Sequence, residues 1–305
     1  MAQLTDELDR GIVKEIISPG SLRWDVREPY SNIAKRLAVD EETVRRRVAR
    51  MRKTGVIGKY VLFLNPTLLD RKDAMVYLES KNYASIAQAI PKLKLVDGII
   101  SLTLLHVAGL LVGIYYQNES ALARQVALIE SICKAKTAMV WTAPYPKFEG
   151  KLTKTDWTIL QALRKDPRRK VSELASDLGI SARTINRRAK RMNDGNAIFL
   201  FLEFDLTKVE GLRYLLIVHC KDKERKIDMD NTIRSRLRNL IYEETWSPNH
   251  SMFAFACANI LEAERISDWV RKIRGVSEMK LGIIKKRIHN LDWVDEEIQT
   301  RLAGF

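Results

Sequence analysis

The chain has 305 residues, of which 46% are hydrophobic and 30% charged, and this balance argues against long disordered segments. Lysine and arginine (52) outnumber aspartate and glutamate (38), and the net charge of +14 favours a polyanionic partner such as nucleic acid or an anionic membrane. Cys133, Cys220 and Cys257 are too scattered to suggest a disulfide framework or a zinc site, and the N-terminal residues lack a secretion-signal pattern, so a cytoplasmic protein is expected.

The first predicted elements are three short helices and a strand. Apolar residues recur at three- and four-residue spacing over Asp6–Ser18, which predicts an amphipathic helix. Ser31 is expected to cap a second helix, and Asp40 a third, which follows after only "AVD". Two helices joined by so tight a turn, the second one basic, form a helix-turn-helix. The β-rich stretch "VIGKYVLFLNP" then predicts a wing strand.

A ferredoxin-like pattern follows the wing. The segments "AMVYLES", "ASIAQAIPKL", "GIISLTLLH", "GLLVGIYY", "SALARQVALIESI" and "KTAMVWTA" predict strand, helix, strand, strand, helix and strand. Within them, Gly98–Asn118 carries no charge and has the length of a membrane-spanning helix. Its counterpart later in the chain is interrupted by Glu243, Glu244 and Pro248, so we interpret both stretches as hairpins of buried strands.

The second half of the chain repeats the first. The stretch "SNIAKRLAVDEETVRRRVARM" (31–51) aligns without a gap with "SELASDLGISARTINRRAKRM" (172–192). Upstream, "LDRGIVKEIIS" matches "TDWTILQALRK", which aligns Asp9 with Asp156. The helices of the second copy are predicted at Lys154–Lys165 and after Ser172 and Ser181, followed by a second wing and a second ferredoxin-like order. A repeat of this size implies two copies of one domain-sized unit.

The predicted fold is α+β, with two tandem copies of a winged helix-turn-helix plus a ferredoxin-like (βαββαβ) domain. The predicted domains are 1–66 and 148–207 for the winged helix-turn-helix units, 67–147 and 208–288 for the ferredoxin-like units, and 289–305 for a C-terminal helical tail. The tail has no counterpart in the first copy. Trp293, Ile298 and Leu302 would form one side of its helix, which either packs on its own domain or contacts another chain.

The third helix of each copy carries the most informative charge pattern. Its apolar residues fall on one face and its basic residues on the other, and both copies keep the same phase. A basic face that appears twice in phase favours helices that lie in the major groove of double-stranded DNA. The candidate contacts to bases and phosphates are Thr43, Arg46, Arg50, Thr184, Arg187 and Arg191. The candidate backbone contacts are Lys35, Arg36, Lys53, Arg168, Arg169 and Lys170.

Three more arginines, Arg47, Arg183 and Arg188, complete the predicted DNA-binding set. For Arg47 and Arg188 an ion pair with Asp9 or Asp156, at the head of the first helix, is the alternative role. The two third helices also differ in sequence, with Glu42 and Arg45 in one and Arg183 and Asn186 in the other. The two half-sites of an operator are therefore expected to differ.

The motif "NIAKRLAVDEETVRRRVARMRKTGVIGKYVLFLNP", with its upstream "LD..I...I" helix and the ferredoxin-like unit after it, resembles the Lrp/AsnC (feast-or-famine) family of transcription regulators, of the archaeal type. The resemblance implies a sequence-specific DNA-binding regulator. It also implies assembly through the ferredoxin-like domains, so the chain is expected to be a covalent pseudo-dimer that forms homo-oligomers. A small-molecule effector is implied by the family, but "HVAGLLVG" and "PNHSMFAF" lack the acidic residue often found there.

Two alternatives use the same architecture or charge. Sirohaem decarboxylases, enzymes of haem synthesis, share the two-part order, and His106 and His250 lie near strand turns as such chemistry would need. These histidines are not equivalent in the two copies, and the "HNY" pattern is absent. An RNA-binding protein is the other alternative. Because no phosphate-binding glycine loop, nucleophile motif or metal-ligand cluster appears, the chain is expected to be no enzyme and to need no cofactor.

Overall fold

The structure is a computed structural model in which the two halves of the chain repeat one order of elements. It describes residues 7–17, 29–80, 82–106, 109–143, 145–167, 169–204, 212–237 and 241–305. The first half contains α1 (Glu7–Ile17), α2 (Tyr30–Leu37), α3 (Glu41–Lys53), β1 (Ile57–Leu64), β2 (Lys72–Glu79), α4 (Tyr83–Leu93), β3 (Ile99–Leu105), β4 (Gly109–Tyr116), α5 (Glu119–Cys133) and β5 (Lys136–Ala143).

The second half gives the same sequence of helices and strands and then one more helix. It contains α6 (Lys154–Lys165), α7 (Val171–Leu178), α8 (Ala182–Asp194), β6 (Ile198–Phe204), β7 (Leu212–Cys220), α9 (Lys223–Leu237), β8 (Ile241–Trp246), β9 (His250–Cys257), α10 (Ile260–Arg271), β10 (Val276–His289) and α11 (Leu291–Ala303). The predicted α+β class is confirmed, and the exact domain boundaries stay a prediction.

The helix starts agree with the sequence at two of the four predicted caps. The side chains of Asp40 and Ser181 accept backbone hydrogen bonds at the first turns of α3 and α8, as expected. Ser31 and Ser172 are instead inside α2 and α7, which begin after Pro29 and Lys170. Both of these preceding residues are exposed and have φ near −59°, so the first-turn N–H groups can be satisfied by water without a side-chain cap.

The strands after the wings form one eight-stranded antiparallel sheet in the order β5-β2-β4-β3-β10-β7-β9-β8. Each half contributes four strands in the ferredoxin-like order. The long strand β10 joins them, because Val276–Ile283 pairs with β7 and Ile284–His289 pairs with β3. The strand continues to His289 because β3 of the other half supplies the backbone partner of its last residues.

Each half of the sheet is covered by its own two helices on one face. Ile86 and Ile129 of the first half and Ile233 and Val270 of the second are fully buried in these two helix-to-sheet cores. The opposite faces of the two half-sheets pack against each other through a third core, which includes Tyr77, Leu111, Trp141, Leu215, Ile217 and Met252. The ferredoxin-like units are therefore paired within one chain, sheet face to sheet face.

The uncharged stretch Gly98–Asn118 contains β3 and β4, which pair antiparallel as predicted. Every residue of β4 is buried, because one strand face meets the helices and the other meets the second half-sheet. In the part of the chain that the structure describes, no helix combines the length and the apolar character needed to cross a membrane.

The two wings pair with each other and hold the helix-turn-helix units together. Strands β1 and β6 form an antiparallel two-stranded sheet, with Val61 opposite Phe201. The Tyr115 hydroxyl of β4 donates to the Leu64 carbonyl at 2.8 Å, which connects this small sheet to the large one. Both predicted wing strands are thus present, and they pair with each other across the two halves of the chain.

The C-terminal helix α11 packs on α6 and beside β3. Trp293 and Ile298 are buried as predicted, and Leu302 packs against the same core. The Trp293 indole N–H donates to Asp97 at 2.9 Å, and Arg164 of α6 pairs with Asp295 at 2.7 Å. The tail was expected either to pack on its own domain or to contact another chain. It packs within this chain, on the first ferredoxin-like unit and the second helix-turn-helix.

Candidate nucleic-acid interface

The N-terminus of α3 is capped by the Asp40 carboxylate and that of α8 by the Ser181 hydroxyl. The Thr43 N–H and hydroxyl both donate to the Asp40 carboxylate at 2.7 Å, and these hydrogen bonds hold the pKa of Asp40 below its usual value. At the equivalent place in α8, the Thr184 N–H donates to the Ser181 hydroxyl at 3.2 Å, and that hydroxyl donates to the Thr184 oxygen at 2.9 Å. The predicted DNA-contacting threonines therefore lie in the first turn of each helix.

The inner faces of both helices are those that the sequence predicts. Val44, Val48 and Met51 are at most 3% exposed in the first helix-turn-helix core. Ile185 and Met192 are fully buried in the second. Because these residues fix the rotation of each helix about its axis, the basic residues between them point to the sides or away from the core.

A buried carboxylate anchors the first basic helix to α1. Asp9 is fully buried and accepts hydrogen bonds from two arginines of α3. The Arg47 Nη1 lies 3.0 Å from one Asp9 oxygen, and the Arg50 Nη2 contacts the other. The Arg50 side chain is nevertheless 52% exposed, so about half of its surface still faces solvent.

The same anchor recurs in the second copy. Asp156 is fully buried, and its two oxygens accept from Arg188 at 2.9 Å and Arg191 at 2.7 Å. Burial alone would raise the pKa of Asp156, but hydrogen bonds from Thr153 and Arg188 outweigh it, and the pKa is below its usual value. The carboxylate is therefore ionised at neutral pH and holds α8 against α6 through two charge-assisted hydrogen bonds.

These anchors change the placement of two candidates. The sequence predicts Arg50 and Arg191 on the outward face, whereas each gives one guanidinium nitrogen to a buried aspartate. Asp9 and Asp156 are buried charges that need a compensating cation, and the arginine side chain is long enough to reach them from the next helical turn. The alternative role predicted for Arg47 and Arg188, an ion pair with Asp9 or Asp156, is present in both copies.

Arg46 and Arg187 are the equivalent cations that remain on the exposed side. Both are solvent-exposed, and neither forms a hydrogen bond or ion pair with a described residue. Lys53 and Arg183 are also exposed, at the end of α3 and the start of α8. Within α3 itself, Arg45 is held by Glu41. Each helix therefore presents one central guanidinium that pairs with no described residue, Arg46 or Arg187. Next to it lies an arginine, Arg50 or Arg191, that also contacts a buried aspartate.

The candidate backbone contacts are placed less uniformly. Lys35 is exposed on α2, whereas Arg36 pairs with Glu15 of α1. Arg169 pairs with Asp177, and Lys170 lies 4.0 Å from Glu173, so acidic residues partly neutralise this region of the second copy. The Arg168 prediction lies outside the described residues.

The sequence did not predict that Arg50 and Arg191 share the anchoring aspartates. The available signal was the alignment of Asp9 with Asp156 upstream of two arginines three residues apart, since residues at i and i+3 share a helix face. The sequence alone does not show that the aspartate touches both arginines, because that contact depends on how the first helix packs against the third.

Comparison with known proteins identifies the type of helix-turn-helix in the second copy. The model of the AsnC-type helix-turn-helix domain matches residues 152–193, which span α6, α7 and nearly all of α8. The resemblance to the Lrp/AsnC family is thus confirmed on this domain. In the described residues no group of three or more His, Cys, Asp or Glu side chains could hold a metal ion.

Two regulators of Pyrococcus horikoshii are similar to part of the chain. An uncharacterized HTH-type transcriptional regulator is 44% identical over 61 residues, which are 20% of this chain and 35% of that protein. The HTH-type transcriptional regulator LrpA is 38% identical over 66 residues, which are 22% of this chain and 43% of that protein. The matched segment therefore spans less than half the length of these relatives.

One solved structure is similar along almost the whole chain. The crystal structure of the siroheme decarboxylase NirDL covers 98% of this chain and 100% of its own, with a TM-score of 0.54 and 13% sequence identity. At this identity the likeness concerns the fold, namely two helix-turn-helix units combined with two ferredoxin-like units.

Proposed function

We propose that this protein, which carries the AsnC-type helix-turn-helix domain of Lrp/AsnC regulators, is a sequence-specific transcription regulator that binds double-stranded DNA through α3 and α8. The observation that carries the proposal is the equivalent placement of Arg46 and Arg187. Both guanidinium groups are exposed and unpaired among the described residues, on helices whose other faces are fixed by buried apolar side chains. Such a helix can enter a major groove with its orientation already set.

The charge distribution fits a phosphate-lined groove. Arg46 and Arg187 would approach base edges, where a bidentate guanidinium selects guanine. Arg50 and Arg191 each keep about half of their side chain exposed, so their remaining N–H groups would contact phosphates while Asp9 and Asp156 hold the other end. Thr43 and Thr184 would meet the DNA at the helix N-termini, where recognition helices usually contact bases.

The remaining candidates would contact the DNA backbone around each helix. The set comprises Lys35, Arg36, Arg47, Lys53, Arg168, Arg169, Lys170, Arg183 and Arg188. Its members are expected to contribute unequally, because Arg36, Arg47, Arg169 and Arg188 already pair with carboxylates of the chain. Exposed cations without an ion pair give up no intramolecular contact when they bind phosphate, so Lys35, Lys53 and Arg183 should contribute most.

The two helices would read different half-sites. Their exposed first turns differ, with Glu42 and Arg45 on α3 against Arg183 and Asn186 on α8. Because β1 and β6 are hydrogen-bonded to each other, the separation of the two winged units is set inside one chain. An operator with imperfect symmetry and a fixed spacing follows from this arrangement.

The test compares Arg46→Ala plus Arg187→Ala with a control that removes the same charge elsewhere, Arg124→Ala plus Arg265→Ala, both exposed on α5 and α10. Each specific guanidinium contact contributes about 1–3 kcal/mol, so the first variant should bind its operator duplex at least about 30-fold more weakly. The control should bind like the wild type. Equal affinity of both variants, with unchanged melting temperatures, would contradict the proposal.

The internal pairing of the sheets limits the surfaces through which copies of this chain could assemble. The inner sheet faces already pack on each other within the chain, so a homo-oligomer would form through a helix layer or the edge strands β5 and β8. Light scattering of the purified protein tests this directly. A small-molecule effector, if one acts, would change duplex affinity when added to the same binding assay.

A second candidate is a siroheme decarboxylase activity, favoured by the likeness to NirDL along 98% of the chain. His219 and His250 lie at the junction of the half-sheets with ring centroids 4.6 Å apart, and His250 stacks on Trp141. Burial and the adjacent His219 lower the pKa of His250 to about 4, so it is neutral at neutral pH. His106 is exposed on the β3–β4 turn.

The absorption spectrum of added siroheme distinguishes the two functions. Appearance of decarboxylated product would establish the enzyme and overturn the regulator. Unchanged siroheme, together with duplex binding, agrees with the regulator. A preference for single-stranded or duplex RNA over duplex DNA in a salt titration would instead favour the RNA-binding alternative.

A further inference from the structure

We infer that a cleft between α9 and α10 is a binding site for a small organic anion with a planar ring. The cleft has a volume of about 490 Å³ and lies on the outer, helical layer of the second ferredoxin-like unit. Its lining residues are Arg225, Asp228, Met229, Thr232, Trp269, Lys272, Ile273 and Arg274. This inference does not depend on DNA binding, because none of these residues belongs to a helix-turn-helix unit.

The wall formed by α9 is fixed by a buried ion pair. Lys226 and Asp230 are each 1% exposed, with the Lys226 Nζ 2.6 Å from Asp230 and 2.6 Å from the Ser251 hydroxyl. Ser251 in turn donates to the other Asp230 oxygen at 2.6 Å. Since these two residues face the sheet, the residues at positions i, i+3, i+4 and i+7 from Arg225 line up on the flank of the helix that faces α10.

The opposite wall combines an aromatic ring with two free cations. Trp269 is partly buried, and the Arg236 guanidinium lies 4.3 Å from its ring centroid. Lys272 and Arg274 are exposed and form no ion pair with any residue that the structure describes, whereas Arg225 is 3.1 Å from Asp222. Against them the lining contains one carboxylate, Asp228. The cleft is therefore cationic at the rim and apolar at Trp269 and Ile273.

These properties select the class of ligand. The volume is within the range of about 300–1,000 Å³ that small-molecule sites occupy, and it is too small for a folded segment. Arg236 of α9 covers one face of the indole ring, so a ligand ring would stack on the opposite face or replace the Arg236 guanidinium. Lys272 and Arg274 can each donate charge-assisted hydrogen bonds to a carboxylate or similar anionic group. A planar ring that carries one anionic group would use both features.

The first half of the chain provides an internal comparison. Aligning the starts of α5 and α10, Glu119 and Ile260, places Leu128 where Trp269 lies. The first half therefore lacks the ring, and because α5 continues to Cys133 whereas α10 ends at Arg271, it has no equivalent of the turn that carries Lys272 and Arg274. The charged cleft is a property of the second half and is not required by the fold that both halves share.

The probe is 2-naphthoate, with the uncharged 2-naphthamide as its matched compound, titrated calorimetrically into the full chain. The binding variant is Lys272→Ala plus Arg274→Ala. The control is Lys221→Ala plus Arg265→Ala, which removes two exposed cations of the same half outside the cleft. All four substituted residues are exposed, so thermal melting should confirm that each variant is folded.

We expect saturable binding of 2-naphthoate to the wild type and the control. Loss of two hydrogen bonds to a charged group should weaken binding by about tenfold or more in the Lys272→Ala plus Arg274→Ala variant. The naphthamide should bind at least about tenfold more weakly than the naphthoate to the wild type. Absence of saturable naphthoate binding, or equal binding by the folded variant, would overturn the inference and leave the DNA-binding test unaffected.

Discussion

Asp73 is a buried carboxylate in the first ferredoxin-like unit. It lies at the start of β2, opposite Tyr115 of β4, and is 8% exposed. No hydrogen bond or ion pair from the described part of the chain reaches its carboxylate. Burial therefore raises the pKa of Asp73 from its ordinary value of 3.8 to about 7.

The sign of the effect follows from proton binding. Between pH 4 and pH 7 the folded Asp73 keeps a proton that the unfolded chain has released, so the free energy of unfolding falls as pH rises through this window. A shift of about three pKa units at 1.36 kcal/mol each gives at most about 4 kcal/mol. Asp73→Asn cannot ionise, so its advantage over the wild type should grow by up to about 4 kcal/mol between pH 4 and pH 8.

Urea unfolding of both proteins at pH 4, 6 and 8 measures this difference. The control is Asp292→Asn, an exposed carboxylate in the first turn of α11, whose effect should be small at each pH. If the difference between Asp73→Asn and the wild type stayed constant with pH, the burial argument for Asp73 would be refuted. An early loss of the linear urea dependence would signal an intermediate and call for hydrogen exchange instead.

Asp156, Trp293 and the Lys226–Asp230 pair are other buried groups whose removal should lower stability. Asp156→Asn should lower the free energy of unfolding by about 2 kcal/mol in urea titrations, because Arg188 and Arg191 lose an ionised acceptor, and an unchanged midpoint would contradict the anchor. Trp293→Ala should lower the free energy of unfolding by about 3 kcal/mol and speed hydrogen exchange in α6. Phe305 is 61% exposed, so Phe305→Ala should leave both quantities unchanged. Asp230→Leu alone should lower the free energy of unfolding by about 3 kcal/mol, because Lys226 is left buried without its partner. Adding Lys226→Met should restore most of the melting temperature, and a double variant less stable than the single one would contradict this explanation.

The sequence predicted the local parts of the structure well. Helices α3 and α8, their inner faces at Val44 and Ile185, and their caps at Asp40 and Ser181 depend on residues within two turns, and such patterns are visible without a structure. The order of strands and helices after each wing follows from periodicity in the same way.

The long-range pairings could not be predicted from the sequence. Nothing local to Lys285–His289 indicates that this segment pairs with β3 of the other half, because any β-strand sequence can supply the same backbone hydrogen bonds. The pairing of β1 with β6 is hidden for the same reason. The distinction between Arg46, which faces solvent, and Arg50, which reaches back to Asp9, depends on where α1 lies relative to α3.

The most direct test of the account is selection of bound duplexes from a random pool by the wild type and by the single variants Arg46→Ala and Arg187→Ala. The wild type should return a bipartite site of fixed spacing with two unequal halves. Arg46→Ala should relax the preference in one half and Arg187→Ala in the other, each at one or two base pairs. Selection of no common site by the wild type, or loss of the same half in both variants, would contradict the claim that each helix reads its own half-site.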